Sequence, residues 1–487
     1  MSDEIRTKVF KGLIWRLLER VIAQGVSMII SIILARILYP EDYGMIALIT
    51  VFITLANVFV DGGFGNALVQ KTNSDEIDFS SVFSVSFLVS ILIYVVIFFC
   101  APFVADFYNN SDVCAILRVL SIQIIVSSFK STQIAHIQKE MKFNLFFWAT
   151  SIGTILSGIV GVTLAYCGFG VWALVIQSLG NTVVDTVVLL VVTDWRPRFA
   201  IDFSRVRSLF GFGWKVLLWS FATQLFDNIR SLVIGKAYSS EDLAYYSNGR
   251  NWPSFIVSNI CTSISSVLFP ALASKQSNIE TVKMMVRRSC SISTFLVSPL
   301  LIGMMAIGRE LTLLLLTEKW LPMLPFLYIC CIYLIFVPIQ TAELESVKAV
   351  GRSDLLVKMD VFVKIIQIIV LIVSMRIDVY AIAIGSIVTT AFACAIYGIV
   401  VRKIIHYTIF EQVRDVAVNM FPAIVMGVTV RGIVQLCAGY CSVFVLVLIG
   451  VVSGVCVWLF CSWIMKHESL HYMYSTIVSM FRKKEKV

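Results

Sequence analysis

Apolar residues in this chain come in blocks separated by short polar intervals. Each block runs roughly 18–25 residues, long enough to cross a hydrocarbon layer of about 30 Å as a helix. The blocks fall at about 13–35, 43–67, 80–104, 113–135, 145–167 and 169–193, then at about 213–236, 243–269, 291–316, 321–345, 355–375 and 378–400. Two more lie near 415–437 and 441–465. The pattern predicts an all-α polytopic membrane protein with about fourteen transmembrane helices and no interval long enough for a globular domain. Arg16, Glu19 and Arg20 interrupt the first block, which argues against a cleaved signal peptide.

The polar intervals set the orientation. Basic residues collect in alternate intervals and at both ends, as at Lys130, Lys139 and Lys142, at Arg196 and Arg205, at Lys283, Arg287 and Arg288, and at Lys483, Lys484 and Lys486. By the positive-inside rule both termini are cytoplasmic.

Composition sharpens this picture. The chain is 59% hydrophobic and 14% charged, whereas soluble domains average about 45–50% apolar and about 25% charged. Soluble enzymes, nucleic-acid binders and disulfide-stapled secreted domains are excluded on that balance. The net charge of +9 comes largely from the loop residues and does not call for a nucleic-acid partner. Most of the 12 cysteines sit inside apolar blocks, as Cys100, Cys261, Cys394 and Cys456 do, without metal-ligand spacing. Cys437 and Cys441 flank a short loop and are placed to pair only if it faces an oxidising side. No GxxxxGK[ST] loop is present, so no nucleotide cofactor is expected.

A shift of about 200 residues brings the chain onto itself. Arg36 to Gly44 ends the first block with a basic residue, a short turn and Glu41-Asp42; Lys236 to Ala244 ends the seventh in the same way, with Glu241-Asp242. Upstream, Arg20, Gln24, Ser27 and Ser31 match Ser220, Gln224, Asp227 and Ser231, spaced to lie on one helical face. Six blocks per repeat give two parallel six-helix lobes around a central cavity, plus two C-terminal helices. The expected divisions are an N-lobe over 1–193, a cytoplasmic linker over 194–212, a C-lobe over 213–405, two further helices over 406–466, and a basic tail over 467–487.

Ionisable groups at bilayer depth are costly and normally face a partner or a water-filled cavity. Arg16, Arg20, Arg230, Arg250 and Lys364 fall within blocks; Arg250 and Lys364 lie deep, with no adjacent carboxylate expected to neutralise them. These five are the candidate substrate-binding residues, and their bias towards positive charge suits an anionic ligand such as a phosphate. Asp61, Asp185, Asp227 and Glu343 are candidates for gating or for binding a coupling proton or Na⁺. Asp61-Gly62-Gly63 and Asn248-Gly249-Arg250 with Pro253 place helix breakers at polar positions and are candidate hinges.

Several segments, in order, resemble one family. Pro40-Glu41-Asp42-Tyr43-Gly44, Asp61-Gly62-Gly63-Phe64-Gly65, Gln138-Lys139-Glu140-Met141-Lys142-Phe143, Tyr246 to Pro253, Leu268-Phe269-Pro270 and Gly351-Arg352-Ser353-Asp354 look like the Wzx-type polysaccharide flippases of the MOP superfamily, in the branch of the colanic-acid exporter WzxC. The polar Asn248-Gly249-Arg250 departs from that pattern. The resemblance implies a non-enzymatic transporter that flips undecaprenyl-pyrophosphate-linked oligosaccharide for surface polysaccharide synthesis by alternating access. It also implies membrane lipids, a polysaccharide polymerase and a chain-length regulator as further partners. A lipid II-type flippase and a multidrug/cation antiporter of the same superfamily are the alternatives.

Overall fold

The computed structural model describes residues 24–61, 65, 68, 75–140 and 142–472. These residues form helices joined by short turns, with no strand among them. Contacts divide the chain into two compact units, Met1–Ala244 and Tyr245–Val487.

The first unit holds α1 (Gln24–Ile37), α2 (Pro40–Asp61), α3 (Glu76–Tyr108), α4 (Asp112–Leu120), α5 (Ile122–Glu140), α6 (Phe143–Tyr166), α7 (Val171–Val192) and α8 (Phe203–Ala237). The start of α3 is fixed by a reciprocal cap: the Asp75 carboxylate accepts from Asp78 N at 2.9 Å, and that of Asp78 accepts from Asp75 N at 3.2 Å. Arg205, in the first turn of α8, donates to Asp75 at 2.6 Å and ties the two helix starts together. Behind this polar knot an aromatic layer of Phe79, Phe83, Phe87, Phe129 and Trp195 fills the end of the unit.

The second unit holds most of α9 (Ser240–Ala273), then α10 (Ile279–Ala306), α11 (Gly308–Leu315), a 3-10 turn over Glu318–Met323, α12 (Leu324–Leu334), α13 (Val337–Ala349), α14 (Ser353–Ser374), α15 (Val379–Ile405), α16 (Ile409–Cys437) and α17 (Val443–Ile464). Its main core packs Leu272, Val286, Cys290, Ile339, Ala342 and Val401. Eleven helical segments among the described residues are long and apolar enough to cross a membrane. Three others fall short of that standard. The described part of α1 is shorter; α8 carries Asp227 and Arg230 beside Gln224 and Asn228; α14 carries Lys358, Asp360 and Lys364.

Two expectations are corrected here. Helix α10 begins at Ile279, not near 291, because the Asn278 side chain caps it by accepting from Thr281 N at 3.0 Å. Lys283, Arg287 and Arg288 are therefore helical residues, not loop residues. Second, α9 runs unbroken through Asn248, Gly249 and Pro253. Gly249 is a close-packing position: a Cβ there would lie 2.9 Å from Leu327 N and 3.0 Å from Met323 O. Cys437 and Cys441, whose pairing the sequence left open, are both free thiols.

The two repeat turns share their chemistry. Asp42 Oδ2 accepts from Tyr39 N at 3.1 Å ahead of α2, and Asp242 Oδ2 accepts from Ser239 N at 3.2 Å ahead of α9. Both turns belong to the first unit, where Gly44 sits against the backbone of Ser240 with no room for a Cβ. The glycine thus allows the backbones of the two turns to approach closely.

Candidate functional site

The first unit contains a cavity of about 380 Å³ between α2, α5 and α8. Its polar lining is Asp61, Ser131, Gln138, Ser220 and Gln224. These side chains converge because each occupies the inward stripe of an otherwise apolar helix. Asp61 is exposed to the cavity and hydrogen-bonded to the Ser131 hydroxyl. Ser220 and Gln224 are the polar stripe that the repeat singled out; farther along it, Asp227 is exposed and Ser231 is buried. Phe59 and Phe221, with ring centroids 5.0 Å apart, lie beside the lining residues on α2 and α8. The cavity offers hydroxyl, amide and carboxylate groups, the set that binds a hydroxyl-rich ligand through directed hydrogen bonds.

Of the described candidate cations, Arg230, Arg250 and Lys364, none lines this cavity. Arg16, Arg20, Gly62 and Gly63 lie outside the described residues. Arg230 on α8 and Arg250 on α9 are both half-buried, the first in one unit and the second in the other. Lys364 requires a correction: its Nζ lies 2.9 Å from Asp360, one helical turn earlier on α14, so an adjacent carboxylate does neutralise it.

Asp185 on α7 is buried and pairs with Lys130 Nζ on α5 at 2.7 Å. Lys130, expected among the loop cations, thus stands inside a helix and compensates a buried acid. The second Asp185 oxygen has no hydrogen-bond partner among the described residues, and neither has the Asn181 side-chain oxygen one turn before it. Both oxygens flank Gly153 of α6, which leaves the carboxylate room to sit between the helices.

In the second unit Glu343 on α13 is 1% exposed. Neither of its carboxyl oxygens has a hydrogen-bond partner among the described residues. The surrounding core supplies Cys290 from α10 and Tyr397 from α15. A further pair missed from sequence joins Arg431 of α16 to Glu310 of α11 at 3.3 Å. The signal for Lys130 was present, since it lies within the fourth apolar block; nothing in the spacing marks Arg431 and Glu310 as partners. Among the described residues no cluster of three or more His, Cys, Asp or Glu side chains could hold a metal ion.

Residues 33–325 match the family described as polysaccharide biosynthesis protein. The chain belongs to that family. Similar polysaccharide biosynthesis proteins include the lipopolysaccharide biosynthesis protein WzxC of Escherichia coli (strain K12), 22% identical over 74% of this chain and 73% of the relative. The succinoglycan biosynthesis transport protein ExoT of Rhizobium meliloti (strain 1021) is 23% identical over 66% and 65%. The teichuronic acid biosynthesis protein TuaB of Bacillus subtilis (strain 168) is 22% identical over 71% and 70%. Among solved structures, lipid II flippase MurJ in an inward closed conformation aligns with TM-score 0.73 at 14% identity, covering 95% of this chain and all of that one. An inward-facing multidrug resistance MATE family transporter of the MOP superfamily aligns with TM-score 0.59 at 12% identity, over 84% and 99%. The family member described here therefore has the all-α fold of MOP-type transporters. The family match spans the cavity and both repeat turns.

Proposed function

We propose that this family member flips undecaprenyl-pyrophosphate-linked oligosaccharide repeat units across the bacterial inner membrane for surface polysaccharide synthesis. The observation that carries this reading is a cavity of hydroxyl, amide and carboxylate groups inside a member of a polysaccharide biosynthesis family with a transporter fold. Asp61, Ser131, Gln138, Ser220 and Gln224 bind the saccharide. Arg230, Arg250 and Lys364, with Arg16 and Arg20, attract the pyrophosphate; of the described three, Lys364 contributes least because Asp360 already claims it.

Alternating access carries the head group across while the lipid tail stays in hydrocarbon, in a fourteen-helix protein with both termini cytoplasmic. An inside-negative potential favours outward movement of the anion, by about 2.3 kcal/mol per charge per 100 mV. A proton or Na⁺ supplies the remaining coupling. Glu343 is the leading proton carrier, because a carboxyl buried without a partner is held most cheaply in its neutral form. Asp61, Asp185 and Asp227 are the other coupling residues in this scheme. A polymerase and a chain-length regulator receive the product.

The test is deletion of the gene in a glycan-producing host with no second flippase. Surface polysaccharide should be lost, with lipid-linked repeat units accumulating on the cytoplasmic leaflet. Unchanged polysaccharide would overturn the reading, and arrest of peptidoglycan synthesis instead would reassign the cargo to lipid II.

A further inference from the structure

A second polar cavity, of about 360 Å³, lies wholly in the second unit, at the end where α10 and α16 begin and α17 finishes. Among the described residues its walls carry four charged side chains: Arg287, Arg288, Asp415 and Glu468. Two of them cancel. Arg287 donates to Asp415 at 2.6 and 2.8 Å, in a two-point pair that Tyr407 reinforces by donating its hydroxyl to the same carboxylate at 3.0 Å. The floor is also tied: Asn419 Nδ2 donates to Ser291 Oγ at 2.9 Å, and the Ser291 and Ser469 hydroxyls lie 3.0 Å apart.

That leaves one cation and one anion. Arg288 and Glu468 are both exposed, and among the described residues neither makes an ion pair. The Arg288 guanidinium carbon lies over the Tyr472 ring, 3.4 Å from its centroid. That cation–π contact holds the guanidinium against the ring, and the planar group carries the N–H donors that suit a phosphate. Met284 on the cavity wall, and Trp463 and Ile464 at the end of α17, present apolar surface. An exposed Trp and Tyr at the end of apolar helices mark the depth of lipid head groups.

We propose that this cavity binds the head group of a membrane phospholipid of the phosphoethanolamine type, with the phosphate on Arg288 and the primary ammonium on Glu468. The charge count selects the class. A head group with a net negative charge would satisfy Arg288 and face an uncompensated Glu468 carboxylate, whereas a zwitterion with a primary amine satisfies both. A choline head group carries the positive charge but no N–H to donate. The cavity volume falls within the range of about 300–1,000 Å³ usual for small-ligand sites.

The full chain, purified in detergent, would be offered equal amounts of phosphatidylethanolamine and phosphatidylglycerol and read by native mass spectrometry. Phosphatidylethanolamine adducts should exceed phosphatidylglycerol adducts several-fold. Arg288→Gln should lower both by about tenfold, and Glu468→Gln should erase the preference while leaving total lipid bound. Both side chains are exposed, and unchanged thermal unfolding of the two variants would show that the fold is retained. A preference for phosphatidylglycerol in the unmodified protein, or full retention of phosphatidylethanolamine by Arg288→Gln, would overturn the proposal. Soluble glycerophosphoethanolamine is the remaining arm: if it displaces the lipid at equal concentration, the ligand is a free phosphoester, and the membrane assignment falls.

Discussion

Each unit buries a carboxyl group among apolar helices, and the two solve the same problem differently. In the first unit Asp185 is met across the helix interface by Lys130 at 2.7 Å. In the second, Glu343 is enclosed more completely, and neither of its oxygens has a hydrogen-bond partner among the described residues. Burial of a charge costs several kcal/mol unless a partner or a proton offsets it. Asp185 is offset by a partner that the fold fixes in place. Glu343 has only the proton, which can leave when the surroundings open to water. The contrast is between an acid with a fixed partner and an acid that only a proton can neutralise.

The largest effect should come from breaking the paired site. Lys130→Met removes the cation and leaves Asp185 buried against apolar helices. Loss of one partner of a buried pair costs about 3–5 kcal/mol, and the low end, about 3 kcal/mol, is expected here because Lys130 keeps 24% of its side-chain surface exposed. Thermal unfolding of the purified variant measures it. Adding Asp185→Asn to the same chain should restore most of the loss, because the buried charge is then gone as well. A single variant as stable as the unmodified protein would mean that Asp185 has other support, and the comparison would fail on that side.

The opposite sign is expected in the second unit. Glu343→Met keeps an unbranched side chain and deletes a buried group whose hydrogen bonds are unmade, so it should stabilise the protein by about 1–3 kcal/mol. Transport should be lost at the same time if the acid cycles a proton. A stabilised variant with full export would strip Glu343 of its coupling role while leaving the structural contrast standing. A destabilised variant would show that the carboxyl is held by contacts of its own.

The periodicity of apolar blocks placed most of the helices, since a spanning helix is written locally in twenty consecutive residues, but it missed the polar first turns of α10. The polar positions within those blocks also pointed to Ser220, Gln224 and Asp61, which lie on two of the helices that line one cavity. Pairing between helices was much less legible. Lys130 meets Asp185 across 55 positions of sequence, and Arg431 meets Glu310 across 121; only the packed fold specifies such distances. Even the local partner of Lys364 was overlooked, although Asp360 stands one turn away, because depth in the apolar block drew more weight than the i,i+4 spacing. The break expected at Gly249 was read as a backbone effect, whereas packing decides it: neighbouring chain at Met323 and Leu327 occupies the space where a side chain would go.

An exposed ion pair supplies the lower limit of the comparison. Lys142 Nζ lies 2.9 Å from Asp194, with side-chain exposures of 44% and 84%. The hydrogen bond and charge of Lys142 hold the Asp194 carboxyl below the usual carboxylate range. A depressed value in the folded state means that the pair supports folding above the ordinary carboxylate pKa of about 3.9 and that the support fades as pH falls through the folded value. Water screens both groups, so Asp194→Asn should leave the unfolding temperature at pH 7 nearly unchanged, and added salt should remove whatever difference remains. Were Asp194→Asn to cost as much as Lys130→Met, distance would govern these pairs and burial would not; the contrast between Asp185 and Glu343 would then lose its physical basis.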